Sequence, residues 1–152
     1  MTHTYIAPPL DHMRARAVST LLSLHGKPYI WRGDDPMAGF DCSGLMMEVL
    51  QSVGIIKRGL DYSAAGLFNI YRDHTVDTPK AGCLVFWYEN DTGVVIHVEM
   101  CVDQYYVVGA SGGGRATDSL QDAIDQNAYV KMSPVNYRGS SYVIADPFMD
   151  IE

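Results

Sequence analysis

The feature that most constrains this sequence is a loop rich in glycine and proline that leads into a cysteine at the start of a helix. The loop begins at residue 26 and remains irregular up to Asp41, and from Leu45 apolar residues recur at the spacing of a helix with one apolar face. Cys42 is therefore predicted in the first turn of that helix. Unpaired backbone N–H groups and the positive end of the helix dipole favour an anion there, so we expect this thiol to lose its proton more readily than a free thiol. The alternative is a small buried apolar residue, because free cysteine is among the most buried residue types.

Length and composition predict one globular domain covering residues 1–152. Hydrophobic residues make up 47% and charged residues 19% of the chain, which excludes a disordered protein, and no apolar run approaches the roughly 18 residues that cross a bilayer. The formal charge of −7 argues against nucleic acid or an anionic membrane as a partner, because both select basic surfaces. The first ten residues lack a basic start and an apolar segment, so we expect synthesis in the cytoplasm without a signal peptide.

Three helices are predicted in the first half of the chain. Asp11 is the expected N-cap of the first helix, which Gly26 and the following proline end. The second helix begins at Cys42 and ends near Gly54. The third is capped by Ser63 and continues through residue 71.

Five short strands are predicted in the second half of the chain. They cover residues 83–88, 94–102, 105–110, 128–132 and 142–145. We expect a short helix or an ordered loop at residues 117–126 and a flexible segment at residues 111–114. Helices followed by a meandering antiparallel sheet predict an α+β domain, with the N-terminal helices packed on one face of a sheet of five to six strands.

Residues 94–102 show the most regular pattern of the predicted sheet. Apolar residues at the even positions alternate with a second face that carries His97 and Glu99. If residues 103–104 form a two-residue turn to the next strand, His97 lies opposite Gly109 or its neighbour.

A cysteine and a histidine together can form a strong nucleophile. Imidazole accepts the thiol proton, and the imidazolium then keeps the thiolate ionised. Cys42 at a helix N-terminus and His97 on a strand is the arrangement of papain-like peptidases, in which backbone N–H groups near the cysteine stabilise the oxyanion. The spacing alone does not show that the two residues meet, and an ordinary surface or core histidine is the alternative for His97.

Four segments together resemble, in order and spacing, the NlpC/P60 family of cell-wall cysteine peptidases. They are Pro-Tyr-Ile-Trp-Arg-Gly at residues 28–33, Gly-Phe-Asp-Cys-Ser-Gly-Leu at 39–45, Ala-Gly-Cys-Leu-Val-Phe-Trp at 81–87 and His-Val at 97–98. This resemblance implies a circularly permuted papain-like α+β fold. It also implies hydrolysis of the amide between γ-D-glutamate and the diamino acid of peptidoglycan stem peptides, through a thioester on the cysteine.

The same resemblance implies roles for individual residues. Cys42 would be the nucleophile, and His97 would act first as the base and then as the acid. Tyr29 matches a family tyrosine near the oxyanion site, and Asp41 and Ser43 match positions that contact the amino end of the stem peptide. The residue types leave alternatives open, because Tyr29 can be a core residue and Asp41 or Ser43 can cap the helix.

The sequence departs from the family pattern at the residue that orients the imidazole. The family places a polar residue, often histidine, twelve positions after the catalytic histidine, and here that position is Gly109. Glu99, where the family often has glycine, lies on the same strand face as His97 and is the predicted substitute, with a water or a backbone carbonyl as alternatives. Glu99 can also be a solvated surface residue. Cys83 and Arg32 replace a usual aspartate and a usual glycine, and these changes bear on substrate choice.

No metal or other cofactor is predicted. Cys42, His97 and Cys101 lack the spacing of a zinc motif. Three cysteines are an odd number without a Cys-x-x-Cys pattern, which favours free thiols over a disulfide framework.

The resemblance implies a peptidoglycan stem peptide as the partner and the cell wall as the place of action. Since no signal peptide or wall-binding module is predicted, the chain is similar to phage-associated versions, which adds other phage structural proteins as candidate partners and the virion as a candidate location. Two other functions stay open. One is acyl transfer, in which an amine captures the thioester, and the other is a non-catalytic phage tail or wall-binding module, which Gly109 favours.

Overall fold

The structure is a computed structural model that describes residues 10–35 and 37–149. The segment on which the absence of a signal peptide was predicted lies almost wholly outside these residues. Within the described part, no helix is long and apolar enough to cross a bilayer.

Three α-helices form the first half of the described chain, in agreement with the sequence pattern. They are α1 (Leu10–Ser23), α2 (Cys42–Ser52) and α3 (Ala64–Tyr71). A ribbon of two short strands, β1 (Asp34–Asp35) and β2 (Gly39–Phe40), lies between α1 and α2, and a 3₁₀ turn (Arg72–His74) follows α3. The sequence did not predict the ribbon, because strands of two residues carry no alternation.

Side-chain caps fix the starts of α2 and α3. Asp41 accepts a hydrogen bond from the Gly44 N–H at 2.7 Å, and Ser63 accepts one from the Gly66 N–H at 3.1 Å. The prediction that Asp11 caps α1 was wrong. Residue 10 is already helical, so Asp11 lies within the first turn, where its carboxylate complements the helix dipole.

The main sheet is antiparallel and has six strands. In chain order they are β3 (Thr75–Val76), β4 (Leu84–Tyr88), β5 (Val95–Cys101), β6 (Tyr106–Ser111), β7 (Tyr129–Pro134) and β8 (Tyr142–Ala145). Their order across the sheet is β3-β8-β4-β5-β6-β7, and α4 (Leu120–Asp125) connects β6 to β7. The predicted α+β class is confirmed. Ser111 was predicted in a flexible segment, but it is the buried last residue of β6.

The helices pack against one face of the sheet through a large apolar core. Leu50 from α2 and Leu67 from α3 lie in this core together with Val98 and Met100 from β5. A smaller apolar cluster covers the opposite face of the sheet. Its members are Cys83, Val85, Trp87, Cys101, Val107, Val135 and Ile144.

A β-bulge near the start of β5 corrects the predicted alternation. Trp87 pairs with His97, but Tyr88 pairs with Val95, so Ile96 is an extra residue in the ladder. Val95 therefore contacts the main core, and Ile96 is 47% exposed, the reverse of the prediction for these two residues. The predicted alternation holds for the rest of the strand.

The register between β5 and β6 also differs from the prediction. The observed pairing places Glu99 opposite Gly109, whereas the predicted pairing placed His97 opposite Gly109 or its neighbour. The connection at residues 102–105 is longer than the predicted two-residue turn. It is stabilised by the Asp103 carboxylate, which accepts hydrogen bonds from two backbone N–H groups.

Candidate active site

Cys42 is the first residue of α2 and lines an open groove of about 430 Å³. Asp41 caps the helix: its carboxylate accepts a hydrogen bond from the Gly44 N–H, and its backbone oxygen accepts one from the Leu45 N–H. The N–H groups of Cys42 and Ser43 are the other donors of this first turn. Cys42 is a free thiol that packs against the edge of the main core and stays half-buried. The sulfur is therefore reachable from the groove, unlike that of a fully buried apolar residue.

Gly44 allows the start of α2 to approach the preceding loop. A Cβ at this position would lie only 2.0 Å from the backbone oxygen of Gly33. The same oxygen accepts a hydrogen bond from the Asp41 N–H at 3.0 Å. The loop and the first turn of the helix are thus held together, which explains why a glycine stands two residues after Cys42.

His97 reaches Cys42 from β5. The side chain of Cys42 lies close to the His97 ring and helps to raise its pKa, and Nε2 of the ring lies 2.8 Å from Oε2 of Glu99. Since Nε2 faces Glu99, Nδ1 is the ring nitrogen left for Cys42. The ring is 5% exposed and packs against the indole of Trp87, with 5.5 Å between the ring centres.

Opposing effects set the pKa of His97. Burial alone lowers it, because the charged form loses solvation. Hydrogen bonds with Cys42 and Glu99, together with the negative charges of these two groups, outweigh burial and raise the pKa of His97 above its usual value. The charged form of the imidazole is therefore more stable here than in a free histidine.

Glu99 is a fully buried acid, so its interpretation as a solvated surface residue was wrong. Its Oε2 accepts hydrogen bonds from Nε2 of His97 and from the hydroxyl of Tyr137. Its Oε1 has no hydrogen-bond partner among the described residues. A carboxylate in this position can fix the orientation and the tautomer of the imidazole.

Gly109 leaves the space that the Glu99 side chain occupies. A Cβ on Gly109 would lie 2.2 Å from Cγ of Glu99, so a side chain there would displace the carboxylate. The two departures from the family pattern, an acid at 99 and a glycine at 109, thus depend on each other sterically.

The three predicted substrate-binding residues line the same groove as Cys42. Tyr29 is 5% exposed, and burial followed by the negative charges of Cys42 and Asp41 raises its pKa. Asp41 is half-buried, and burial raises its pKa despite hydrogen bonds from Gly44 and Ser43. Asp41 caps α2, as the alternative interpretation required, and still faces the groove.

Two residues of the site, Tyr137 and Arg138, were not predicted from the sequence; they lie in the loop at residues 135–141 between β7 and β8. Tyr137 donates to Glu99, and Arg138 lines the groove with its guanidinium carbon 5.9 Å from the centre of the Trp87 ring. The one sequence signal was an aromatic residue followed by a cation in a loop of mostly small and polar residues. A loop has no periodicity that predicts where such side chains point.

No metal site stands out in the described chain. Among residues 10–35 and 37–149, no group of three or more His, Cys, Asp and Glu side chains is arranged to hold an ion. Cys101, which was considered together with Cys42 and His97, is fully buried in the small apolar cluster, four residues further along β5 than His97.

The sequence has a relative among characterised enzymes. Murein DD-endopeptidase MepH from Escherichia coli strain K12 is 31% identical over 88 residues. The matched part covers 57% of this chain and 32% of MepH, so the chain spans about one third of the length of that protein.

Solved structures share the fold. An NlpC/P60 family protein from Bacillus cereus ATCC 10987 superposes with a TM-score of 0.70 at 23% identity, over 95% of this chain and 42% of that one. The peptidoglycan hydrolase RipB from Mycobacterium tuberculosis gives a TM-score of 0.62 at 23% identity, over 88% and 64% of the two chains. Residues 26–133 also match the sequence profile of the NlpC/P60 family. This match covers most of the chain, and the chain therefore belongs to the NlpC/P60 family, as its motifs predicted.

Proposed function

We propose that this chain is a peptidoglycan endopeptidase that hydrolyses an amide of murein stem peptides through a thioester on Cys42. The observation that carries this proposal is that Cys42, His97 and Glu99 lie together beside an open groove, with Nε2 of His97 at 2.8 Å from Glu99. A thiol at a helix N-terminus, an imidazole in contact with it and a carboxylate behind the imidazole form the catalytic system of a cysteine nucleophile.

Acylation of the enzyme begins with proton transfer from Cys42 to His97. The thiolate sulfur then attacks the carbonyl carbon of the scissile amide, and the N–H groups at the start of α2 stabilise the oxyanion. The imidazolium donates its proton to the leaving amine as the carbon–nitrogen bond breaks. The products of this half-reaction are a free amine and a thioester on Cys42.

Hydrolysis of the thioester reverses the roles. Neutral His97 takes a proton from water, and the resulting hydroxide oxygen attacks the thioester carbonyl. The carbon–sulfur bond breaks, a carboxylic acid leaves, and the Cys42 thiolate is restored. In both half-reactions, Glu99 holds the ring through Nε2 so that Nδ1 faces the sulfur.

The groove presents both kinds of charge that a stem peptide requires. Asp41 lies next to Cys42 on one side, and Arg138 is the one Lys or Arg among the described residues that line the groove. A stem peptide that ends in a free amine and carries carboxylates complements this arrangement. We place its amino end near Asp41 and Ser43, with Tyr29 beside the reacting carbonyl.

The bond we propose is the amide between γ-D-glutamate and the diamino acid. This assignment is supported by the resemblance of the motifs around Cys42 and by the acidic residue beside it. MepH is named a DD-endopeptidase, so a bond between two D-centres in the cross-link is the competing assignment. The experiment must therefore offer both bonds.

The test uses purified muropeptides, both uncross-linked stem peptides and cross-linked dimers. Mass spectrometry of the products identifies the bond cut by the wild type, and Cys42→Ala provides the control for cysteine-dependent cleavage. Products joined to an added amine would indicate acyl transfer in place of hydrolysis. Binding of muropeptides without any product would support a non-catalytic module and contradict the proposal.

The feature that favours a non-catalytic module is Gly109, at a position where the family often has a polar residue. Here the carboxylate of Glu99 contacts His97 from the neighbouring strand and needs the space that Gly109 leaves. A missing side chain at 109 is thus compatible with an oriented imidazole.

Action at the cell wall follows from the proposed substrate. Association with a phage, a virion or phage structural proteins stays a prediction, because the relatives named above are bacterial proteins. Mass spectrometry that searches purified virions for peptides of this chain would test the association.

A further inference from the structure

Tyr137 is one of only two described hydrogen-bond donors to the buried carboxylate of Glu99. The other donor is Nε2 of His97, and both bond to the same oxygen, Oε2. The second oxygen, Oε1, has no partner among the described residues. A buried carboxylate depends strongly on each donor that it has, because water cannot replace a lost one. The orientation of Glu99 therefore depends on Tyr137.

Aromatic packing holds Tyr137 in place. Its ring lies edge-on to Trp87, with 5.8 Å between ring centres and an angle of 71° between the planes, and Trp87 also packs against His97. The Tyr137 N–H donates to the backbone oxygen of Pro134 at 3.0 Å, which fixes the loop to the end of β7. Burial and the negative charge of Glu99 raise the pKa of Tyr137, so the hydroxyl keeps its proton and remains a donor.

We propose that Tyr137 is a positioning residue that fixes the carboxylate of Glu99 against Nε2 of His97. The loop at residues 135–141 would thereby complete the system that orients the imidazole, although it lies beyond the matched family region, residues 26–133. This inference rests on the proposed function, because it assumes that His97 acts on Cys42.

The groups around the imidazole allow a clear test. Cys42 faces it from α2, Glu99 from its own strand, and uncharged Trp87 packs on it from β4. Arg138 lies next to Tyr137 in the loop and contacts Trp87. Removal of the Tyr137 hydroxyl takes away no formal charge, so a lower pKa of the imidazole would arise through Glu99, from a change in its position or its protonation.

The matched pair of variants is Tyr137→Phe and Tyr142→Phe. Both tyrosines pack against Trp87, Tyr142 with 6.1 Å between ring centres, but of these two only Tyr137 donates a hydrogen bond to Glu99. We expect Tyr137→Phe to lower kcat for muropeptides about tenfold to a hundredfold, with KM changed less than about twofold. We expect Tyr142→Phe to leave both parameters within about twofold of the wild type.

A spectroscopic measurement separates positioning from a general loss of structure. The hydrogen bond and charge of Glu99 help to raise the pKa of His97. NMR titration of the His97 ring, assigned with a His97→Gln variant, should therefore show a lower pKa in Tyr137→Phe and no change in Tyr142→Phe. A merely structural role for Tyr137 would lower the melting temperature without moving this pKa.

A readout that needs no substrate distinguishes this inference from the proposed function. Iodoacetamide alkylates Cys42 when its sulfur forms a bond to the methylene carbon and iodide leaves, and mass spectrometry of the Cys42 peptide gives the rate. Slower alkylation and a lower His97 pKa in Tyr137→Phe would support the inference even if no muropeptide were cleaved, and the proposed substrate alone would then be wrong. Tyr137→Phe with wild-type alkylation and His97 pKa, or equal changes in Tyr142→Phe, would overturn it.

Discussion

The cysteine side and the histidine side of this site are built in different ways. The cysteine side is local, since residues 41–44 supply the cap, the thiol and the close-packed glycine within one turn of chain. The histidine side is assembled from distant segments. His97 and Glu99 come from β5, Gly109 from β6 and Tyr137 from the loop after β7.

This difference determines how each side tolerates change. On the cysteine side, the constraints come from the first turn of α2 and from the loop just before it, so a substitution acts through local geometry. On the histidine side, the constraint is a contact across strands, so a second substitution on the neighbouring strand can compensate for the first. The local side should therefore show independent effects, and the distant side should show coupled ones.

The largest effect is expected where the two sides meet. Cys42→Ala and His97→Ala should each lower kcat for muropeptide cleavage by about four orders of magnitude. The double variant should lose little more than the worse single variant, because the nucleophile and its base act as a unit. Product formation followed by mass spectrometry measures all three rates.

Cys83→Ala is the matched control for this experiment. Cys83 is also a free thiol, but it is buried in the small apolar cluster on the other face of the sheet. Its loss should leave kcat within about threefold of the wild type. Fully additive losses from Cys42→Ala and His97→Ala would mean that the two residues do not form one catalytic unit.

The cysteine side was predictable from the sequence because its signals are local. The apolar spacing from Leu45 and the cap residue Asp41 together give the start of α2. The five strands β4 to β8 were predicted to within two residues for the same reason, since alternation and turn residues lie within each segment, whereas the two-residue β3 was not predicted.

The histidine side was only partly predictable. Glu99 was identified as a candidate, but its burial follows from a strand register that depends on the length of the loop at residues 102–105. The bulge at Ile96 arises from pairing with β4, so the alternation of apolar residues in β5 alone does not predict it. Tyr137 depends on the path of a loop, which side-chain periodicity does not encode.

Glu99→Gln should have the next largest effect on kcat. It removes the negative charge beside His97 and leaves the cysteine side unchanged. We expect kcat to fall about a hundredfold or more. Since Glu99 is one cause of the raised pKa of His97, that pKa should fall in the variant. The imidazolium is lost as pH rises through this pKa, so the alkaline limb of the pH–rate profile should move to lower pH.

A partly buried acid outside the groove provides the control for Glu99→Gln. Glu48 on α2 forms an ion pair with the exposed Arg58, with 3.0 Å between the guanidinium nitrogen and the carboxylate oxygen, and it does not line the groove. Glu48→Gln should leave the rate and the pH profile unchanged. A Glu99→Gln rate within a few-fold of the wild type would remove Glu99 from the mechanism.

An exchange of residues between β5 and β6 tests the coupling directly. Glu99→Gly should cost about a hundredfold because Nε2 of His97 loses its partner. Gly109→His alone should cost a similar factor, since its Cβ would lie 2.2 Å from Cγ of Glu99. The double variant places a polar residue where the NlpC/P60 family often has one, and we expect its kcat to lie within about tenfold of the wild type.

Melting temperatures accompany these rates, because they show whether the single variants fold. Recovery of kcat in the double variant would establish that the polar partner of His97 can come from either β5 or β6. A double variant that is no better than its singles would show that the orientation of His97 requires more than a polar group in this space.

The smallest effect is expected on the cysteine side, from Asp41→Ser. Serine is as good an N-cap as aspartate, so the free energy of unfolding should change by less than about 0.5 kcal/mol. Loss of the carboxylate should raise KM for stem peptides about tenfold, because their amino end loses its charged partner.

Ser119→Ala is the opposite control. Ser119 caps α4 by accepting a hydrogen bond from the Asp122 N–H at 3.1 Å, and it does not line the groove. Its loss should cost about 1 kcal/mol of unfolding free energy and leave KM unchanged. If Asp41→Ser also left KM unchanged, Asp41 would be a cap alone, and substrate selection would belong to the other residues that line the groove.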